Sequence, residues 1–430
     1  MMKALHVYRL AYDELLPIGI ISKDGTAFSY DPSYLAHPGS IPLSCSLPLQ
    51  NDPFEAAAFR PYFEGLLSEG MARRALAAEL QLPEEDYLGL LAQCGRDCIG
   101  DVVITTEPVA ELNIRSMSYE AISIETFRHM LLDFPEAAQA NASSRLSLAG
   151  TQNKIGLAHL PNTALDNGWL RPQGYAATTH ILKTSHIRDL PEIEFLCMRA
   201  AKACGIPVPA TNLVTAPSPI LAVERFDRSS RMEHGKLCVE RMHQEDLSQA
   251  FGTTPGSKYA ELPGGSVRAI AELIRRRAVS PARDLATFAK ILLFSYAIGN
   301  CDGHLKNFSI SLHEPKPGRQ AALSLKPAYD LVCTTIFPRF SRDMGMKLGG
   351  VRSIDDVVPS TFDVLANELG ITKRALQRFA EPVVKHATRS IEQTGEGLYG
   401  DVLESTPYIA EDLVEDMRPR LAVLQAFLAA

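Results

Sequence analysis

Apolar positions in Ala4–Leu10 and Leu16–Ser22 read as two strands that pair, and Asp24-Gly25 supplies the turn before a short third strand at Ala27–Tyr30. Asp52-Pro53 reads as a helix start, with proline tolerated in the first turn, and Phe63, Leu66 and Leu67 continue the apolar face of that helix. Ala72–Leu80 and Tyr87–Gln93 are two further helical pieces, and Asp101–Thr105 is a strand after Gly100. Residues 1–110 therefore form a small α/β unit. The stretch 106–123 holds a proline and little periodicity and reads as a linker. Ile124–Leu132 reads as a helix, and Ala137–Ser144 as a small-residue, polar and flexible connection.

The pattern then turns mixed. Strands are expected at Ile155–Leu160, His180–Lys183, Ala210–Val214 and Ile220–Phe226, with a helix over Glu192–Cys204 stopped by Gly205 and Pro207. Beyond Glu245 helical spacing dominates, near 266–277, 284–299, 359–369, 372–388 and 408–428, around a β-rich insert at Phe308–Leu312 and Leu323–Pro327. No internal repeat is visible. The expected division is 1–110, 111–245 and 246–430.

Composition narrows the class. The 430 residues are 46% hydrophobic and 22% charged, with 28 glycines and 28 prolines, which excludes collagen, low complexity and wholesale disorder. A net charge of -7 argues against holding DNA through bulk charge. It leaves room for a local basic patch such as Arg275-Arg276-Arg277 with Arg283, which equally suits a solvated helix face. The eight cysteines include no CxxC pair. Cys94 and Cys98 lie four apart without a downstream His or Cys pair, so buried reduced thiols are a better reading than a metal site. The N-terminus lacks a signal-peptide layout, and the most apolar stretch, Leu285–Ile298, is short and interrupted by Lys290. A soluble, cytoplasmic protein with no membrane association is expected.

Four signals carry candidate chemistry, one of them a pair of lysines on two separate stretches. In Asn300-Cys301-Asp302-Gly303-His304-Leu305-Lys306-Asn307-Phe308, Asp302 and Asn307 stand five apart, the spacing of a kinase catalytic loop. There an Asp accepts a hydrogen bond from the attacking hydroxyl, an Asn oxygen holds a metal ion, and His304 and Lys306 could neutralise phosphate. The same residues also build an ordinary helix-ending turn. Asp330, in Pro327-Ala328-Tyr329-Asp330-Leu331-Val332, is a second oxygen ligand suited to Mg2+, or simply a strand-ending turn. Lys183 closes an apolar strand and needs an anionic partner if buried, Glu194 or phosphate; a snorkelling surface lysine is the alternative. Lys154 ends the small-residue loop Leu148-Ala149-Gly150-Thr151-Gln152-Asn153-Lys154, which lacks the Walker A ending but could cradle phosphate on backbone N–H groups. Finally, Leu221-Ala222-Val223-Glu224-Arg225-Phe226-Asp227-Arg228 is an apolar strand ending in a charged knot, either an adenine-facing hinge or an ion-pair cluster.

These stretches occur in the chain order of a bilobal kinase. Together with Ser147-Leu148-Ala149, Gln244-Glu245-Asp246, Leu43-Ser44-Cys45-Ser46-Leu47-Pro48-Leu49 and Gly95-Arg96-Asp97, the chain resembles the HipA family over nearly its whole length. The resemblance implies an α+β fold: a bilobal protein-kinase-like core, related to lipid kinases, with a helical C-terminal lobe and a small N-terminal α/β subdomain. It implies a bacterial serine/threonine protein kinase using ATP and Mg2+, the toxin of a type II toxin–antitoxin module. A HipB-like helix-turn-helix antitoxin is the implied partner, with operator DNA reached mainly through it. The implied substrate is an aminoacyl-tRNA synthetase, first the glutamyl enzyme, and the outcome growth arrest and persistence.

By matching motif, Asp302 is the implied catalytic base, and Asn307 and Asp330 the metal ligands. Lys183 is the phosphate-contacting lysine. Ala149, Gly150, Thr151, Gln152, Asn153 and Lys154 form the phosphate-side loop, Glu224, Arg225 and Phe226 the adenine hinge, and His304 and Tyr329 line the nucleotide site. Ser147 is the implied autophosphorylated serine; a phosphate there adds up to about -2 charge to a loop meant to bind another phosphate. Arg145 and Lys154 are cations able to capture it. The loop departs from the family in carrying Thr151 and Asn153 where Ala and Glu are familiar, and Cys301 stands where Thr is familiar. Thr151 thus adds a second phosphorylatable hydroxyl. A small-molecule kinase and a non-catalytic, antitoxin-bridging co-repressor are the competing functions.

Overall fold

The computed structural model describes residues 3–11, 14–108, 117–123, 126–127, 130, 153–215, 219–314, 320–398 and 406–430. The chain divides into two compact units. The first takes Met1–His186, Ala216–Pro255 and Ser311–Ala321, and the second Ile187–Thr215, Gly256–Ile310 and Ala322–Ala430.

The first unit opens with an antiparallel sheet of Leu5–Ala11 (β1), Glu14–Ile21 (β2), Ala27–Tyr30 (β3), Phe54–Glu55 (β4) and Val102–Thr105 (β5), ordered β4-β3-β2-β1-β5. Side chains alternate across a strand, and both faces of β1 are used. Leu5 and Val7 enter a core with Ile18, Phe28, Phe59, Tyr62, Phe63 and Leu91, while Tyr8 and Leu10 pack with Val103 and Tyr175. The helices Ala56–Gly65, Gly70–Glu79 and Tyr87–Cys94 match the expected pieces. The helix start at Asp52-Pro53 is corrected: Phe54 first pairs with Phe28 across the sheet, their rings 6.2 Å apart, and the helix begins only at Ala56.

A second sheet contains Ser118–Ala121 (β6), Asn153–His159 (β7), Trp169–Gln173 (β8), His180–Thr184 (β9) and the strand Pro219–Glu224, ordered (Pro219–Glu224)-β9-β7-β8-β6, with antiparallel neighbours. β6 lies within the stretch read as a linker; it is an edge strand with mostly exposed residues, so no apolar signal marks it. The polar hairpin Arg228–Glu233 and Lys236–Arg241 is likewise invisible to hydrophobic periodicity. Its turn, His234-Gly235, has φ of 49° and 76°, the double left-handed geometry that suits a two-residue hairpin.

The second unit is mostly helical: Leu190–Ala203, Ser266–Arg277, Pro281–Ile298, Thr361–Leu369, Lys373–Leu398 and Thr406–Ala429. Lys373–Leu398 outruns the expected 372–388 and packs on Leu190–Ala203, Pro281–Ile298 and Thr406–Ala429. Arg275 donates to the Leu369 carbonyl at 3.4 Å and Arg276 pairs with Glu272, so two of the three consecutive arginines make contacts within this unit. None of the eight cysteines is in a disulfide; Cys45 and Cys238 are partly exposed and the other six buried. No helix among the described residues is long and apolar enough to cross a membrane.

Candidate active site

The apolar helix Pro281–Ile298 ends at Gly299, whose φ of 76° reverses the chain and whose N–H bonds back to Ser295 and Tyr296. A Cβ at Gly299 would lie 1.9 Å from Thr335 Oγ1, so only glycine fits that turn. The loop beyond Gly299 is pinned through its backbone. Cys301 N donates to Thr334 Oγ1 at 2.9 Å, Asp302 N to Asn300 Oδ1 at 3.0 Å, and His304 N to the Asp302 carbonyl at 2.8 Å. Behind it, Gly345 N donates to the Cys301 carbonyl at 2.7 Å. A Cβ on Gly345 would sit 2.8–3.0 Å from backbone atoms of Gly303 and His304.

Asp302 emerges from this loop exposed, and Tyr259 Oη donates to its Oδ1 at 2.5 Å. Asn307 Nδ2 lies 3.5 Å from Asp330 Oδ2. Asp330 has a φ of 53°, a left-handed conformation that costs a non-glycine residue roughly 1–3 kcal/mol and is typical of functional positions. Tyr329 Oη donates to the Lys306 carbonyl at 2.7 Å and lies 2.6 Å from Ser309 Oγ, tying the Asp330 segment to the loop. The loop and Asp330 thus come together as the spacing suggests.

Lys306, His304 and Lys258 are all buried. Burial first, then Lys258 and Lys306, push the His304 imidazole down to about 3. Two lysine side chains thus stand beside an imidazole whose burial disfavours its charged form. Neither Lys258 nor Tyr259 stands out in the sequence, because both lie in an irregular segment without periodicity. Gly345 is equally silent, since only a close backbone approach explains it.

In the first unit, Lys183 sits on β9 at 6% exposure between β7 and the strand Pro219–Glu224, opposite Lys154 on one side and Leu221 on the other. Directly opposed residues share a sheet face, so two ammonium groups rise from one side, an unfavourable pairing unless anions answer it. Glu224 is exposed at its strand end and Phe226 half-buried. Arg225 N donates to the Thr179 carbonyl at 2.8 Å, while its side chain is fully engaged elsewhere. The Arg225, Arg228 and Arg241 guanidinium groups surround Asp97 and Asp227, all five buried. Thr178 donates to Asp97 from both N and Oγ1, and Gly100 N donates to Asp227. Despite burial, the arginines hold Asp97 well below the usual carboxylate range and Asp227 down to about 2. The charged knot is thus an ion-pair cluster for Arg225, Asp227 and Arg228, and it reaches back to the Gly95-Arg96-Asp97 motif.

The other paired motif also closes. Buried Glu245 accepts from Ser44 Oγ and, at 2.9 Å, from Cys45 N, and Ser46 Oγ donates to the Gln249 carbonyl at 2.8 Å. Ala137–Ser144, Arg145, Ser147, Ala149, Gly150, Thr151 and Gln152 lie outside the described residues; of Asn153 only the backbone, opening β7, is described. Glu194 is buried on Leu190–Ala203 of the second unit.

Oxygen donors from one carboxylate and one amide, Asp330 and Asn307, suit Mg2+, which completes its shell with waters and phosphate oxygens rather than a protein cage. No cluster of three or more His, Cys, Asp or Glu side chains able to hold a metal occurs among the described residues.

The model of the HipA-like C-terminal domain matches residues 146–391, and that of the HipA N-terminal domain residues 12–105. The chain belongs to the HipA family. A putative kinase of Sinorhizobium fredii, Y4mE, is 30% identical over 387 residues, covering 87% of this chain and 88% of the relative. The serine/threonine-protein kinase toxin HipA of Shewanella oneidensis is 26% identical over 381 residues, covering 84% and 83%. Among solved structures, HipA from a Shewanella oneidensis HipA, HipB and operator DNA complex superposes with a TM-score of 0.81 at 20% identity over 99% of both chains. That likeness establishes the HipA fold, mixed helix and sheet with a mainly helical C-terminal part.

Proposed function

We propose that this HipA-family chain is a serine/threonine protein kinase and the toxin of a bacterial type II toxin–antitoxin module, acting in the cytoplasm. The observation that carries the reading is the loop Asp302–Asn307, held rigid by its backbone, with Asp330 beside Asn307 at 3.5 Å. ATP is the donor. Asp302 accepts a hydrogen bond from the acceptor serine hydroxyl and takes its proton. The serine oxygen bonds to the γ-phosphorus, the bond to the bridging oxygen breaks, and ADP leaves. Asn307 and Asp330 would hold Mg2+, which supplies neutralisation of phosphate charge. Lys183, Lys154 and the rest of the loop Ala149–Lys154 contact phosphate, Glu224 and Phe226 face the adenine on a hinge that Arg225 anchors through its buried ion pairs, and His304 and Tyr329 line the nucleotide.

The partner is a HipB-like antitoxin, supported by the solved relative's complex with HipB and operator DNA. The substrate class is an aminoacyl-tRNA synthetase, with Ser147 as the autophosphorylated residue, and the outcome growth arrest and persistence. Asp302→Asn is expected to abolish phosphate transfer and growth arrest while leaving the melting temperature unchanged. Mass spectrometry after incubation with Mg-ATP should find phosphate on Ser147 in the wild type and none in the variant. Growth arrest that survives Asp302→Asn overturns the reading. Phosphoproteomics after brief induction, against the same variant, identifies the substrate.

A further inference from the structure

We infer that Tyr259 is a positioning residue for the catalytic carboxylate, a role that rests on the kinase reading above. The backbone of Asp302 is fixed by Asn300 and His304, and its side chain is exposed. Tyr259 Oη donates to Oδ1 at 2.5 Å and so helps to set the plane of the carboxylate. A carboxylate has about four lone-pair sites, and the phenol occupies one on Oδ1, which fixes how the group is presented to an incoming hydroxyl.

The phenol is itself held. Its ring meets the His304 imidazole edge-to-face, centroids 4.9 Å apart at 76°, and Lys258 Nζ stands 5.3 Å from the ring centroid. The segment carrying it is anchored two residues on. Glu261 accepts from Ser266 N at 2.9 Å, at the start of the helix Ser266–Arg277, and from Lys347 N at 2.8 Å. Lys347 belongs to the strand Asp343–Leu348, the one whose Gly345 presses on Gly303 and His304. One strand therefore sets both the loop bearing the base and the segment bearing its hydrogen-bond donor. A donor built on the same support as its acceptor suits alignment better than a mobile cover.

The test uses the full chain and Mg-[γ-32P]ATP, measuring phosphate incorporation into the protein at varied ATP. Tyr259→Phe keeps the ring against His304 and Lys258 and removes only the hydroxyl. It should lower kcat about 10–30-fold, the scale of one hydrogen bond to a charged group, with KM for ATP and the melting temperature unchanged. A Tyr259→Phe rate equal to or above wild type overturns this inference alone, the latter because the phenol would then be obstructing the base. A loss accompanied by a raised KM or a lowered melting temperature assigns Tyr259 a structural role and overturns it too. A wild-type chain that transfers no phosphate overturns the kinase reading together with this one.

Discussion

The molecule holds two dense polar clusters, one sealed in the interior and one open to solvent at its central carboxylate. Around Asp97 and Asp227, three guanidinium groups meet two carboxylates in full burial, and the excess positive charge is taken up by the Arg96, Cys98, Gly100 and Tyr175 carbonyls. Such a network is answered almost wholly from within, only Arg228 Nε and Arg241 Nε being left without a partner, and it fixes the chain. Around Asp302 the carboxylate is exposed, two buried lysines flank the His304 imidazole, and Asp330 sits on a strained backbone. This cluster opens to solvent at Asp302, where a group can arrive from outside. Density of charge does not separate the two clusters; access does.

Substitutions in the two clusters should therefore fail in different ways. Asp302→Asn is the extreme case, removing rate without stability. Asp97→Asn is its mirror. It leaves buried arginines short of a counter-charge and should cost about 3–5 kcal/mol of folding stability, read as a lowered urea midpoint. If Asp97→Asn melts like wild type, the knot is not structural and the comparison breaks. Gly345→Ala sharpens the other side: its methyl must displace the Gly303–His304 backbone, and a shift approaching 1 Å should slow phosphate transfer up to about 100-fold while the chain stays folded.

The smallest effect concerns Glu245, which burial raises to about 7. Its folded value exceeds the usual carboxylate value near 4.5, so the folded state binds the proton more tightly. This contribution to stability is complete below about pH 4.5 and is lost as pH rises through about 7. Relative to Glu245→Gln, wild type should lose up to about 1 kcal/mol per pH unit across that window, measured by urea unfolding at several pH values. Parallel profiles for the two proteins would refute the shift.

Local pattern makes the helices and most strands legible, along with the loop Asp302–Asn307, because periodicity and a five-residue spacing are properties of neighbours in sequence. Ser118–Ala121 and the Arg228–Arg241 hairpin escape because their residues face water and carry no apolar rhythm. The motifs at Leu43–Leu49, Gly95–Asp97 and Gln244–Asp246 are visible as strings but have no physical meaning alone. The structure shows them to be halves of contacts: Glu245 to Ser44, and Asp97 to Arg228, 131 positions away. Tyr259 is hidden for the same reason, its function residing in a hydrogen bond across 43 positions.

The cysteines make this molecule self-reporting. Cys197, Cys204, Cys301 and Cys333, all in the second unit, are buried, and burial raises every one of their thiols, those of Cys204 and Cys333 to about 12. The two partly exposed thiols, Cys45 and Cys238, both belong to the first. A maleimide dye added to the native protein therefore tags the first unit, and slower labelling timed afterwards at Cys197, Cys204, Cys301 or Cys333 becomes a clock for the opening of the helical unit that carries Asp302.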